Sequence, residues 1–188
     1  LLVVAYFAQI MTFYFILKWV PKIVVDMGFH PSQAGQVLVW ANVGGAIGAT
    51  LLGLFASRLP LRKLLISVLI LSFVMVSVFG IGYESISQLA LICAATGFFT
   101  NSGVVGLYAL MAQVFPAEVR GSGTGIVIGF GRGGAALSPV IAGLLFTQGV
   151  SLQGVSICLG AGALVAALAV FLLGRAASAQ QTASSGPS

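Results

Sequence analysis

Long apolar runs broken by short polar connectors dominate the chain. Six runs, at about 1–20, 33–56, 64–82, 86–115, 121–146 and 154–174, are each long enough to cross a bilayer, because a hydrocarbon core of roughly 30 Å needs about 20 helical residues. In lipid the backbone must satisfy its own hydrogen bonds, which leaves helices or closed barrels. Barrel strands would alternate apolar and polar residues with period two, and these runs do not. The pattern predicts an all-α membrane protein with six transmembrane helices. The connector 21–32 carries Lys22, Asp26, Gly28, His30 and Pro31; His30 or Ser32 suits the cap of the next helix and Pro31 its first turn. His30, alone in this connector, reads as a solvated loop residue. The Ala/Ser/Gln-rich stretch 175–188 is expected to be a disordered tail. The chain opens on Leu1 inside an apolar run, with neither a basic n-region nor a small-residue cleavage site. It is therefore read as a fragment without a signal peptide.

Composition strengthens this picture. Hydrophobic residues make up 59% and charged residues 6% of the 188, and the mean hydropathy is +1.13. That leaves too little polar surface to coat a water-soluble globule of this size. The net charge of +5 does not point to nucleic acid, since the basic residues are scattered singly between apolar runs. They read instead as topology signals. Arg58, Arg62, Lys63, Arg120 and Arg175 fall in connectors on one side, whereas the other side has only Lys18 and Lys22, beside Asp26, His30 and Glu84. The positive-inside rule places the first group and the carboxyl terminus in the cytoplasm, in a multi-pass protein of the cell inner (plasma) membrane. Trp19 suits an interfacial anchor at the outer end of the first span. Cys93 and Cys158 lie in separate apolar runs with no metal-ligand spacing and read as small core residues.

Small residues predict how the helices pack. Gly121, Gly125, Gly129 and Gly133 recur every four residues in the fifth span, and Ala41, Gly45, Ala49 and Gly53 do so in the second. Such stripes let helix backbones approach closely in lipid, in a rigid bundle or at a sliding contact. Pro139, inside the fifth span, is expected to kink or loosen it.

A few polar side chains fall at membrane depth. Counting about 15 Å inward from Lys18 and Trp19 at 1.5 Å per residue reaches Gln9. Asn42 and Asn101 lie near the middles of the second and fourth spans, and Arg132 follows Arg120 by twelve residues, about 18 Å along a helix. Tyr108 shares the helix face of Asn101, and Thr12 and Phe13 share that of Gln9. For Gln9, Asn42 and Asn101 an interhelical hydrogen bond is the simpler role. Arg132 is the sharpest feature, since a central arginine costs about 2.5–3.5 kcal/mol to insert and should face the bundle or an aqueous cavity. Asp26, Glu84 and Glu118 all fall at span ends. Its partner is thus a bound anion, a backbone carbonyl or a carboxylate from sequence outside this chain; alternatively it is a structural arginine nearer the cytoplasmic end. One histidine and three terminally placed acids form neither a metal site nor a Ser/His/Asp set, and GFGRGG lacks the strand and ribose-binding acid of a dinucleotide fold. No enzyme, metal or cofactor is expected.

The six spans, the basic loop between the second and third, and the run Phe115-Pro116-Ala117-Glu118-Val119-Arg120-Gly121-Ser122-Gly123 resemble the C-terminal half of the major facilitator superfamily. The resemblance covers nearly the whole chain to Gly174. Tyr14-Phe15-Ile16-Leu17-Lys18-Trp19-Val20-Pro21, Gly28-Phe29, Gln33-Ala34-Gly35 and Gly129-Phe130-Gly131-Arg132-Gly133-Gly134 are similar to its aromatic acid:proton symporter branch, whose members import benzoate-, hydroxybenzoate- or phenylpropionate-type acids. The stretch from Gly53 through Arg58 to Arg62 and Lys63 resembles the superfamily's cytoplasmic loop motif, with Ser57 where Asp is usual and Pro60 where Gly is usual. The resemblance implies one half of a 12-helix fold, a partner N-terminal six-helix half, alternating access around a midplane site, and a proton as coupling ion handled mainly by that other half. On that implication Arg132 attracts the carboxylate of an organic anion, Asn101, Asn42 and Gln9 orient its polar substituents, and Tyr108 and Phe13 flank the ring. A facilitator of another metabolite, sugar or drug is the alternative, and a non-transporting membrane scaffold or receptor is a further one.

Overall fold

A computed structural model describes the backbone of residues 1–184 and the side chains of residues 1–176. The elements are α1 (Leu2–Asp26), α2 (Pro31–Ala56), α3 (Leu61–Phe79), α4 (Ile86–Val114), α5 (Arg120–Gly131), α6 (Gly133–Thr147) and α7 (Leu152–Ser184). No strand occurs among the described residues. Six segments are long and apolar enough to cross a membrane, α5 and α6 together forming one of them.

Two boundaries differ from the hydropathy reading. α1 continues through Pro21 to Asp26, where Lys22 and Asp26 pair at 2.7 Å across one helical turn, so the polar residues assigned to a connector extend the helix instead. At the other end, α7 runs on through Ser184 where a disordered tail was expected from 175. Alanine and glutamine are good helix formers and continue a helix already nucleated by the span. Positions 185–188 lie outside the described residues. His30 is the N-cap of α2, and its backbone N–H donates to Gln33 Oε1 at 3.0 Å.

The connectors at the α1–α2, α3–α4 and α6–α7 ends each turn on a glycine with positive φ: Gly28, Gly82 and Gly149. At Gly28 and Gly149 the backbone closes as a Schellman motif. Phe29 N–H donates to Val24 O and Val150 N–H to Leu145 O, which satisfies carbonyls that the helix end would leave bare.

α1 is the central rod, packed against α2, α4, α5, α6 and α7, while α2 lies along α4 and α3 along α7. Two apolar clusters fill the interior. One gathers Leu65, Leu69, Leu107, Met111 and Val170 at the end nearer the basic loop; the other gathers Phe15, Val20, Val37, Leu89 and Leu159 towards the opposite end. Between them runs a belt of buried polar side chains, each donating to a carbonyl of a neighbouring helix. Gln9 reaches Thr100 O at 3.0 Å, Thr12 reaches Leu159 O at 2.6 Å, and Ser138 reaches Met11 O at 2.7 Å. Thr96 joins α4 to Met75 O of α3 at 3.3 Å. Such bonds add about 0.6 kcal/mol each to a bundle that has no hydrophobic drive within lipid.

Glycine packing follows the four-residue stripes only in part: in the second span Ala41 and Gly45 belong to the contact, joined by Gly44 and Gly48. A Cβ at Gly44 would fall on Ala94 O, one at Gly97 on Ala41 O, and one at Gly48 on Phe98 O. The α2–α4 seam therefore runs through Ala41, Gly44, Gly45 and Gly48, turned away from Ala49 and Gly53. In the fifth span, Gly121, Gly125 and Gly129 have open space where a Cβ would go, and Gly133 meets only the Phe7 ring edge at 3.3 Å. The close approach there is made by Gly131, against the Tyr6 ring, and Gly134, against Phe7 O. Of the two cysteines, Cys93 is buried as expected but Cys158 is exposed.

Candidate functional site

The fifth span is interrupted at Arg132, which is both C-cap of α5 and N-cap of α6. Ala135 N–H donates to Arg132 O at 3.0 Å, a tight turn inserted between two α-helical stretches. The expected weak point, Pro139, lies inside α6 and does not mark the interruption. Glycines on both sides of Arg132 account for the position: each lowers helix stability by about 1 kcal/mol relative to alanine, and together they admit the backbone of α1 to close range. Because α5 is unbroken from Arg120 to Gly131, Arg132 lies about 18 Å along the helix from Arg120, as the sequence spacing requires.

Around this break three side chains meet. Tyr6 and Tyr108 share a hydrogen bond between their hydroxyls at 2.7 Å, with ring centroids 5.5 Å apart. The Arg132 guanidinium lies near enough to the Tyr6 hydroxyl to act on it as a charge. Arg132 is exposed and Tyr108 half-buried, whereas the Tyr6 ring is buried against Gly131. No carboxylate pairs with Arg132; Lys22–Asp26 is the one ion pair among the described residues. The exposed guanidinium thus has the Tyr6 hydroxyl nearby and open space around it, with its donors available.

A second group lies two turns away on the same faces. Tyr6 and Phe13 are seven apart on α1, and Asn101 and Tyr108 seven apart on α4, so each pair shares a face at a spacing of about 10.5 Å. The two helices run antiparallel, which sets Phe13 and Asn101 at one level and Tyr6 and Tyr108 at another. Asn42 joins the first level. Phe13, Leu17, Leu38 and Asn42 line a cleft of about 20 Å³, far below the several hundred Å³ of an enclosed ligand site. These residues form an open cleft rather than a closed pocket.

The expected site residues thus separate. Arg132 and Tyr108 come together through Tyr6, and Phe13 and Asn42 share the cleft. Asn42 is exposed, its Nδ2 donating only to Leu38 O within its own helix at 2.8 Å. Asn101 is half-buried and spans to α2, donating to Gly45 O at 2.9 Å. Gln9 is fully buried; its Nε2 is bonded to Thr100 and its Oε1 has no partner. It lies inside the belt and not on the open wall. Sequence reasoning missed Tyr6, and it had Gly131 and Gly134 only as part of a motif, not as the points of close contact with α1. The signal for Tyr6 was its place seven residues before Phe13, on the face already singled out.

The basic loop motif is placed at the end of the bundle. Gly53 has no close neighbour and Arg58 is exposed in the turn between α2 and α3. Arg62 and Lys63 open α3, and the Arg62 guanidinium packs over Gly174 of α7. Trp19, expected as an anchor, stacks on Phe146 at 4.9 Å with Lys22 5.7 Å above its ring.

Comparison with known proteins agrees with this architecture. The family model of the Major Facilitator Superfamily matches residues 2–187. The 3-(3-hydroxy-phenyl)propionate transporter of Escherichia coli (strain K12) is 34% identical over 174 residues, covering 92% of this chain and 43% of its own length. The gallate transporter of Pseudomonas putida is 30% identical over 172 residues, covering 91% of this chain and 38% of its own length. The benzoate transport protein of Acinetobacter baylyi is 30% identical over 141 residues, covering 75% of this chain and 30% of its own length. The chain spans less than half the length of the curated relatives it matches. With six membrane-competent helices, an all-helical fold of half-transporter size and a family model matched across nearly its full length, the chain belongs to the Major Facilitator Superfamily.

Proposed function

We propose that this chain forms the second six-helix half of a secondary transporter that takes up small aromatic carboxylic acids, coupled to protons, by alternating access. It does so as a multi-pass protein of the inner membrane with its carboxyl terminus in the cytoplasm. The single observation that carries this reading is an exposed, carboxylate-free guanidinium at a helix break, adjoining two phenolic side chains. A planar fork of donors suits a carboxylate held bidentately. Tyr108 and Phe13 give aromatic surface at two levels of the same wall, and Asn42 offers a polar group for a ring substituent. The substrates in the names of the similar transporters, a phenylpropionate, gallate and benzoate, have in common an aromatic ring and a carboxylate. In this reading Gln9 and Asn101 position helices instead of touching substrate. The opposing wall and the proton-handling groups belong to the other half.

The test is uptake of labelled 3-hydroxyphenylpropionate by proteoliposomes holding the full-length transporter, competed by unlabelled solutes. Aromatic acids are expected to compete, while a sugar and the corresponding aromatic alcohol do not. Equal competition by the alcohol would remove the carboxylate from recognition. Absence of any substrate-dependent flux would leave the scaffold reading.

A further inference from the structure

At the end of the bundle that holds the α2–α3 turn, a groove of about 350 Å³ opens between α3 and α7, lined by Arg62, Lys63, Ile66, Phe171, Gly174 and Arg175. Three cations surround it and no acid does. The ion pair of the described residues, Lys22–Asp26, involves none of them. Each cation is held differently. Arg62 lies over Gly174, where a Cβ would come within 2.7 Å of Nη1, and its Nε is buried without an acceptor among the described residues. Arg175 is placed 5.9 Å over the Phe171 ring, one turn before it on the same face of α7. Lys63 is exposed at the rim.

Away from the charged rim the groove becomes apolar and outward-facing. On α3, Ile66, Ile70 and Val74 follow Lys63 along one helix face; on α7, Phe171, Leu168 and Leu164 precede Arg175 along another. All but the half-buried Ile66 are exposed. We propose that this groove binds an anionic phospholipid, its phosphate held by Arg62, Lys63 and Arg175 and an acyl chain lying along the apolar stripe. Basic pockets between transmembrane helices at the cytoplasmic surface attract such headgroups. A phosphate oxygen supplies the acceptor that Arg62 Nε lacks. The exposed apolar stripe leading from the cations favours a lipid over a soluble anion, which would use the rim alone. This site is separate from the Arg132 wall and does not depend on what the protein transports.

The experiment is native mass spectrometry of the full-length protein containing this chain, in detergent, titrated with phosphatidylglycerol or phosphatidylcholine. Wild type is expected to retain phosphatidylglycerol at least tenfold more tightly. The Arg62→Gln/Lys63→Gln/Arg175→Gln variant should lose that preference, whereas Arg62→Lys/Lys63→Arg/Arg175→Lys keeps it. Arg58→Gln/Arg120→Gln, which removes two cations outside the groove, should also keep it. If the triple glutamine variant does not purify as a monodisperse protein, Arg175→Gln alone, at an exposed position, reads the same preference and should lower it several-fold. The proposal is overturned if the preference survives loss of the groove cations or falls equally in the Arg58/Arg120 variant. It is also overturned if glycerol 3-phosphate displaces the lipid at comparable concentration, which would make this a soluble-anion site.

Discussion

Arg132 carries a charge that insertion into lipid penalises by about 2.5–3.5 kcal/mol, and the chain places it where helix glycines have already yielded. Its neighbour is the Tyr6 hydroxyl, not a carboxylate. Tyr6 bridges, bonded to Tyr108 at 2.7 Å and acted on by Arg132, so Tyr6→Phe keeps the ring that packs on Gly131 and removes only the bridge. The net worth of one such bond is about 1 kcal/mol, which predicts a roughly fivefold rise in KM for an aromatic acid, read by uptake in the full-length transporter. An unchanged KM would make the pair purely structural. Gln9 presents the opposite case. Its Oε1 is already buried without a partner, so Gln9→Leu gives up one bond of about 0.6 kcal/mol and relieves a desolvated oxygen. The expected outcome is an unchanged KM and a melting temperature close to wild type; a several-fold change in KM would return Gln9 to the site.

Among the elements, the spans themselves were legible because hydropathy and length alone determine what can cross a bilayer. The second to fifth lie within a few residues of the expected limits, while α1 overran its limit because 21–32 was read as a connector and Pro21 is instead carried within the helix, and α7 runs ten residues past its own. The interruption at Arg132 was less legible. Gly131, Gly133 and Gly134 were in view as a motif, yet Pro139 drew the expectation of a kink, since a missing N–H is a stronger local signal than three weak helix formers. The packing seam was legible only in part, at Ala41 and Gly45, because periodicity of small residues shows that a smooth face exists, not which neighbour uses it. Gly97 shows the seam most directly, its missing Cβ leaving room for Ala41 O. Gly97→Ala should destabilise the protein by about 1–3 kcal/mol, the usual cost of overpacking, seen as a lower melting temperature in detergent. Unaltered melting would mean that α2 and α4 are not in close contact there.

For the whole molecule, the distribution of charge predicts the orientation. Arg58, Arg62, Lys63, Arg120 and Arg175 gather at one end, and the positive-inside rule predicts that end is cytoplasmic. In a background lacking Cys93 and Cys158, an impermeant thiol reagent should label a cysteine placed at Ser57 only in inside-out vesicles, and one at Ser85 only in right-side-out vesicles. The reverse pattern would invert the bundle. The proposed site is likewise one-sided: Phe13 and Asn42 line a cleft of only about 20 Å³, and under the proposed function the opposing residues belong to the other half, which this sequence does not contain. In the proposed function this chain contributes the Arg132 guanidinium, and that role is tested most directly by the KM for labelled 3-hydroxyphenylpropionate uptake in the full-length protein bearing Arg132→Lys, which keeps the charge but loses the fork. A charge-assisted bond of about 1.5–3 kcal/mol lost with the fork predicts a rise in KM of about tenfold or more, with folding intact because position 132 is exposed; a KM equal to wild type would contradict the account.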